Sequence, residues 1–299
     1  MNPLDLTALH SWCSIPADEL EDHPDLRMPV RIVKDSATMG ELMAREFVDE
    51  ILRARDAGRM FRAIVPCGPK SWYEPFCRIV VSERVNLDHL VVFHMDDCLD
   101  WQGRPLHDSD PHNFTSFMRR HFYDPIPAEL AVPQHQRVFP EVARIEEIKA
   151  MIAESPIDLT LGGFGQDGHV AYNQARRNPF SALTVQQLRE SELRVQENAV
   201  DTVIALAERS FGGAYQFVPP MSISLGMKEC LSARQVRLYS DTGSWKRTAL
   251  RVALFAPETV EYPMTLLQTH PDVLVTVTLD TARHPISEHP EWRFSGVET

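Results

Sequence analysis

Residues 161–173 read Leu-Gly-Gly-Phe-Gly-Gln-Asp-Gly-His-Val-Ala-Tyr-Asn. This run sets a carboxylate, Asp167, two residues before an imidazole, His169. Gly162, Gly163, Gly165 and Gly168 surround them, four glycines in seven positions. Glycine accepts backbone angles and close approaches that a β-carbon forbids. An imidazole beside a carboxylate that fixes its tautomer can shuttle protons. The plainer alternative is an Asp and a His that merely close a turn, which so many glycines weaken. Asn173 and Gln174 follow, and either amide could hydrogen-bond the imidazole or a ligand hydroxyl.

Two other loops carry chemistry-bearing groups. Residues 93–100, Phe-His-Met-Asp-Asp-Cys-Leu-Asp, hold three carboxylates, Asp96, Asp97 and Asp100. Mutual repulsion or partial burial would raise one of them toward the range of a general base. A solvated acidic turn fits the spacing equally, and a divalent-metal site is a third option that lacks a partnered histidine. Residues 240–246, Ser-Asp-Thr-Gly-Ser-Trp-Lys, open a predicted helix. The free amides of a helix N-terminus with Lys246 one turn in suit a phosphate or oxyanion, although Ser, Asp and Thr are also ordinary caps. No GxxxxGK[ST] or GxGxxG occurs, which leaves nucleotide binding without support. A GxSxG elbow is absent too, which disfavours a serine hydrolase.

These loops need elements to position them. Strands are predicted at 30–33, 62–65, 90–94, 158–161, 235–239 and 273–279. Helices are predicted from Asp35 or Ser36 to about 57, from near 71, over 113–122, 141–153, around 184–195, and over 243–254. The helix after Asp35 carries an apolar stripe of Met39, Leu42, Met43, Phe47, Ile51 and Leu52 at helical spacing. Alternating strands and helices imply right-handed crossovers and a mostly parallel sheet. The expected fold is therefore a three-layer α/β domain with helices on both faces and its ligand loops at the carboxyl ends of the strands. Residues 1–29 read as an extension lying on the domain or on a neighbouring subunit, 30–282 as the domain, and 283–299 as a tail.

Composition narrows the function classes. The chain has 299 residues, 43% hydrophobic and 24% charged, with a net charge of −12. That charge argues against sequence-independent nucleic-acid binding, which needs clustered Lys and Arg. It leaves room for an anionic small ligand, because a local field can oppose the net charge. No apolar run approaches the roughly 20 residues that span a bilayer. Five cysteines form a scattered set without a CxxC pair, which suits free thiols in a reducing compartment. A cytoplasmic location is the expectation.

In this order, the three loops resemble the glucosamine-6-phosphate deaminase/isomerase family, which shares its fold with the 6-phosphogluconolactonases. Residues 93–97, Phe-His-Met-Asp-Asp, are similar to that family's F-N-M-D-E. Residues 116–124 keep its S-F-M-x-x-x-F-F-D pattern, and 162–173 follow G-G-x-G-x-D-G-H-I-A-F-N. Residues 264–271 are similar to S-I-L-Q-L-H-P. The likeness covers roughly 30–282 and favours the deaminase branch. It implies a Rossmann-like fold, a sugar-phosphate substrate, no metal or cofactor, and a homo-oligomer. His169 would open the pyranose ring, and Asp96 would move a proton between C2 and C1. Asp167 would sit beside His169 and help position the substrate. Cys67, Gly68, Lys70, Asp97, Gly163, Gly165, Gly168 and Lys246 would contact the sugar or its phosphate.

Departures from the family pattern imply altered recognition. Gln174 stands where the family has the acidic partner of its histidine; an amide can orient His169 but adds no charge to support an imidazolium, which implies slower ring opening. Residues 65–70, Val-Pro-Cys-Gly-Pro-Lys, replace the T-G-G-T-P phosphate loop. The phosphate arginine expected near 198–201 falls on Asn-Ala-Val-Asp, with Lys70 or Arg176 as compensating cations. Each lost charge-assisted contact costs about 1.5–3 kcal/mol. Lactone hydrolysis, with His169 activating water, and non-catalytic sugar-phosphate binding are the alternative readings.

Overall fold

Short apolar runs punctuated by Gly, Pro and Asp become ten strands in the computed structural model, which describes residues 4–175, 180 and 182–297. They are β1 (Val30–Val33), β2 (Phe61–Val65), β3 (Leu90–His94), β4 (Asp96–Leu99), β5 (Arg137–Val138), β6 (Leu159–Gly162), β7 (Arg194–Glu197), β8 (Met221–Ser224), β9 (Gln235–Ser240) and β10 (Val273–Thr278). Seven of them form one sheet in the order β1-β10-β9-β6-β2-β3-β5, every neighbouring pair parallel. The chain winds outward from β2 through β3 to β5, then returns to the other side of β2 and proceeds through β6, β9 and β10. Winding therefore reverses between β2 and β6, which opens a crevice at the carboxyl ends of those strands.

Both faces of the sheet are covered. Phe61, Ala63 and Val65 of β2 face one apolar layer and Ile64 the other, as the two-residue period of a strand requires. On the first face lie the N-terminal helix pair of the domain. To number helices in chain order, α1 is Leu6–Cys13, α2 Ser36–Asp56 and α3 Tyr73–Ser82. Asp35 caps α2 by accepting from the Thr38 amide at 2.9 Å. The expected stripe of α2 buries Met39, Met43, Phe47 and Ile51. Trp72, at the start of α3, is fully buried against Phe47, Phe76 and Phe122. The opposite face carries α5 and α9, after the short α4 (Phe114–Met118): α5 is Ile145–Glu154, and α6 (Val185–Arg189), α7 (Val200–Phe211), α8 (Met227–Leu231) and α9 (Arg247–Phe255) follow.

Three features differ from the sequence expectation. A second sheet, antiparallel in the order β4-β8-β7, flanks the first. Its strands are four residues each and β7 reads Arg-Val-Gln-Glu, so it carries almost no alternation and forms only through pairing with β8. The helix expected around 184–195 is confined to α6 because residues 194–197 enter that pairing. The helix expected over 113–122 is α-helical to Met118 and widens into a π-helical turn over Arg119–Tyr123.

The described part of the N-terminal segment, residues 4–29, packs on this chain's own domain. Helix α1 packs on α9, and Leu20 and Met28 are buried in the same cluster as Leu250 and Leu254. Arg251 of α9 is fully buried and donates to the carbonyls of Ile15 at 2.9 Å and Ala282 at 2.7 Å. Leu20→Ala is expected to lower the unfolding free energy by about 2–5 kcal/mol, as for other buried leucines. Urea denaturation reads this directly. A change below about 0.5 kcal/mol, the scatter of surface substitutions, would show that this segment detaches before the domain unfolds.

Candidate active site

Because β9, β6, β2 and β3 are neighbours, the loops that follow them converge at one edge of the sheet. They enclose a cavity of about 590 Å³ whose wall includes Cys67, Gly68 and Lys70 after β2, Asp96 at the start of β4, Gly163, Gly165 and His169 after β6, and Asp241, Trp245 and Lys246 after β9. Ligand pockets of a few hundred cubic ångströms hold small metabolites. No described helix is long and apolar enough to cross a membrane. Among the described residues, no group of three or more His, Cys, Asp or Glu could hold a metal ion.

Asp96 is half-buried in this wall, and its side chain accepts no hydrogen bond from any described residue. Burial, and then the charge of Asp97, push its carboxyl up to about 7, against an opposing pull from His169. A carboxylate without hydrogen bonds in a poorly hydrated wall is a stronger base than one in water. Asp97 lies outside the cavity. Strand alternation turns it to the other side of β4, where it accepts from the amides of Cys98, Phe114 and Thr115 and from the Thr115 hydroxyl. It accepts from the first two amides of α4 and does not line the cavity, unlike the substrate-facing position expected for it. Asp100 closes a surface turn with Arg104.

His169 and Asp167 form the second pole. His169 Nδ1 lies 2.6 Å from Asp167 Oδ1, which leaves Nε2 as the ring nitrogen free for the cavity. Burial raises the Asp167 carboxyl, but His169 outweighs it and holds Asp167 below its ordinary value. Gly165 is required by contact: a β-carbon there would lie 2.1 Å from the His169 ring. Gly168 adopts a φ of +71°, and a β-carbon at Gly163 would come within 3.2 Å of the Gly68 carbonyl. The neighbouring amides are used elsewhere. Asn173 is fully buried and donates to Val170 and Leu225 carbonyls while accepting from Arg194. Gln174 is also buried; its carbonyl accepts from the Ala199 amide at the start of α7, and its Nε2 has no partner. Gln174 thus ties the loop to a helix and forms no hydrogen bond with His169.

The third pole is cationic. Lys246 is buried, 4.9 Å from the Trp245 ring centroid and 5.2 Å from that of Phe164. Burial, and then the nearby Arg209, push its ammonium down to about 7, with Asp241 opposing. Arg209 lays its guanidinium over the same Trp245 ring, 4.1 Å from the centroid. Neither cation is in ion-pair contact with a carboxylate among the described residues. Two unpaired cations in one wall make an anion site.

Arg209 was not anticipated from the sequence. It belongs to α7, which roofs the cavity with Thr202, Leu206, Arg209 and Ser210. The signal was present: Thr202, Leu206 and Arg209 recur at i, i+4 and i+7, the spacing of one helical face. Lys70 lines the cavity 4.4 Å from the Phe117 ring, apart from the Lys246 pair. Arg176, the other compensating cation considered, lies outside the described residues.

No family model matches the chain. It is 30% identical over 249 residues to the glucosamine-6-phosphate deaminase of Serratia proteamaculans, covering 81% of this chain and 87% of that protein. It is 26% identical over 247 residues to the enzyme of the same name from Lactobacillus helveticus, covering 82% and 93%. Among solved structures, a monomeric glucosamine-6-phosphate deaminase superposes with a TM-score of 0.71 at 19% identity, over 85% of this chain and 99% of that one. A 6-phosphogluconolactonase from Thermotoga maritima superposes with a TM-score of 0.60 at 10% identity, over 83% and 98%. The structural likenesses concern the fold, a mostly parallel α/β sheet with helices around it. The sequence relation across four-fifths of both proteins goes further, and by it this chain belongs to the glucosamine-6-phosphate deaminase family.

Proposed function

We propose that the protein converts a phosphorylated 2-amino aldose to the corresponding ketose phosphate and ammonia by proton transfer within this cavity. One observation carries the reading. A carboxylate without hydrogen bonds and a carboxylate-backed imidazole share a cavity with two unpaired cations. The cations suit a phosphate, and the other two poles suit the reacting carbons.

The sequence of events follows from the geometry. His169 Nε2 takes the anomeric hydroxyl proton and returns it to the ring oxygen, opening the pyranose. Asp167 holds the tautomer and supplies the charge that supports the transient imidazolium, so ring opening does not depend on an acid at position 174. The open-chain carbonyl acidifies the proton on C2. Asp96 removes that proton, the C2–H pair becomes the C1–C2 double bond, and the carbonyl pair moves to oxygen. A proton of the substrate's ammonium passes to O1, and return of the Asp96 proton to C1, driven by the freed nitrogen pair, leaves a C2 iminium that water hydrolyses to the ketose and ammonia. On the phosphate end, Lys246 and Arg209 take over from the loop replaced at 65–70.

Incubation with glucosamine-6-phosphate in deuterated water, followed by mass spectrometry, tests the reading. Deuterium in the sugar and ammonia release are expected; neither appearing with any amino-sugar phosphate would remove it. Acid formation from 6-phosphogluconolactone in their place would transfer the site to hydrolysis.

Asp96→Asn is expected to abolish turnover, by at least the ~10²-fold that general bases contribute, while the fold persists. Its effect on stability has a definite sign. The folded-state pKa of about 7 exceeds the ordinary 3.8, so the ionised group destabilises the fold, increasingly as pH rises from about 4 to about 7. The variant should melt above the parent at pH ~8, with a gap that shrinks toward pH ~5; a gap that widens on acidification would contradict the burial argument.

The same groups set the pH profile. The limb of kcat/KM due to Asp96 rises through about 7, whereas Lys246 loses its charge as pH climbs past about 7. A bell centred near neutrality is expected, and a phosphate dianion should hold Lys246 charged in the complex. Arg209→Ala should raise KM for the phosphorylated substrate about 10- to 150-fold, the equivalent of one charge-assisted contact. An unchanged KM would remove Arg209 from the phosphate site.

A further inference from the structure

Tyr172 occupies a position where the family pattern has Phe, and its hydroxyl has no role in the steps above. The residue lines the cavity and is 6% exposed. Its ring runs parallel to His169, with centroids 5.9 Å apart at 12°, and near-parallel to Phe114 at 6.4 Å and 21°. The backbone aims it deliberately. Ala171, just before it, holds a φ of +53°, a left-handed conformation that is unfavourable for a residue with a β-carbon. The Tyr172 amide is fixed by the Ser224 hydroxyl at 2.9 Å.

The phenol itself is weakly satisfied. Its hydrogen-bond partner is the Cys98 thiol, with oxygen and sulfur 3.3 Å apart. A thiol is a poor donor and a poor acceptor, so this contact is easily exchanged for one to a charged oxygen. Burial, and then the charges of Cys98 and Asp96, push the phenol well above its ordinary value. It therefore stays protonated across the working range, in the same cavity wall as Asp96 and near enough to feel its charge.

We infer that Tyr172 is a further catalytic residue, whose hydroxyl donates a hydrogen bond to the carbonyl oxygen of the open-chain sugar as that oxygen becomes an enolate oxyanion. This rests on the isomerase reading of the same site. As Asp96 takes the C2 proton, the C–H pair forms the new C1–C2 bond and the carbonyl pair goes to oxygen. The Tyr172 hydroxyl turns from the thiol to this oxyanion and keeps its proton. Once O1 has taken a proton from the neighbouring substrate ammonium and Asp96 has reprotonated C1, the hydroxyl turns back. Donors placed where charge develops lower the barrier because they need little reorganisation.

Tyr172→Phe keeps the ring and removes the donor. With glucosamine-6-phosphate, kcat and deuterium exchange at C2 should fall together by about 10²- to 10³-fold, the range for loss of one oxyanion donor. KM and thermal unfolding should stay close to the parent, and the ascending pH limb should remain near 7. Cys98→Ser should retain activity, since the thiol is only a resting partner. A phosphorylated sugar hydroxamate, whose oxyanion mimics the enolate oxygen, should bind Tyr172→Phe more weakly by a similar factor, whereas a phosphorylated alditol should bind both proteins alike. Parental kcat and exchange in Tyr172→Phe would overturn the assignment while leaving the isomerase reading standing. A shifted pH limb with unchanged kcat would also overturn it, by making the phenol a modulator of Asp96. A parent that shows neither exchange nor preference for the hydroxamate would overturn both.

Discussion

The reversal of winding between β2 and β6 is the constraint on which the rest depends. All strands of the main sheet run the same way, so all their carboxyl ends lie along one edge. Where the chain changes direction, adjacent loops have no crossover between them and leave a crevice. Four central strands thereby deliver a carboxylate, an imidazole–carboxylate pair and a lysine to one cavity. These groups come from positions up to 150 residues apart in the chain, between Asp96 and Lys246. Aromatic packing around Trp72 on one face and the Leu250 and Leu254 layer on the other hold the strands in register.

Electrostatics within the cavity follow from desolvation. Burial penalises charge of either sign, so it raises the Asp96 carboxyl and lowers the Lys246 ammonium, both to about 7. The substrate proposed above would supply what each lacks: its phosphate dianion would restore the lysine's charge, and its acidic carbon would give the carboxylate a proton to take. Asp167 escapes this pattern because His169 lies within 2.6 Å and outweighs its burial. The same wall thus holds one carboxylate poised to accept a proton and another held ionised.

The helix α7 shows how the family's altered residues are accommodated. It has little of its own in the apolar layers, with Thr202 and Ala207 its buried residues. Gln174 accepts from the amide at its start, and Gln166 reaches the Thr202 hydroxyl at 3.4 Å. Both contacts come from the loop that carries His169. Arg209, near the other end of α7, stands on the Trp245 ring. Gln174 and Arg209 thus belong to one arrangement, in which the loop that carries His169 anchors the start of α7 and the helix sets Arg209 beside Lys246.

Much of this was legible in the residue order. Apolar runs and caps located the main strands and α2, and the density of glycine around Asp167 and His169 marked a loop in which side chain and backbone come close. The contact between Gly165 and the His169 ring is the physical reason that glycine is there. Adjacent Asp96 and Asp97 looked alike in sequence, yet alternation along β4 sends one to the cavity and the other to the α4 cap, and only pairing with β8 makes that stretch a strand. The partner of Gln174, the place of Arg209 in the cavity wall and the small antiparallel sheet were likewise decided in three dimensions. Local propensity and spacing determine which residues sit in loops and on strands, because they act through near neighbours; which side chains meet depends on contacts between segments far apart in the chain, which only the assembled sheet brings together.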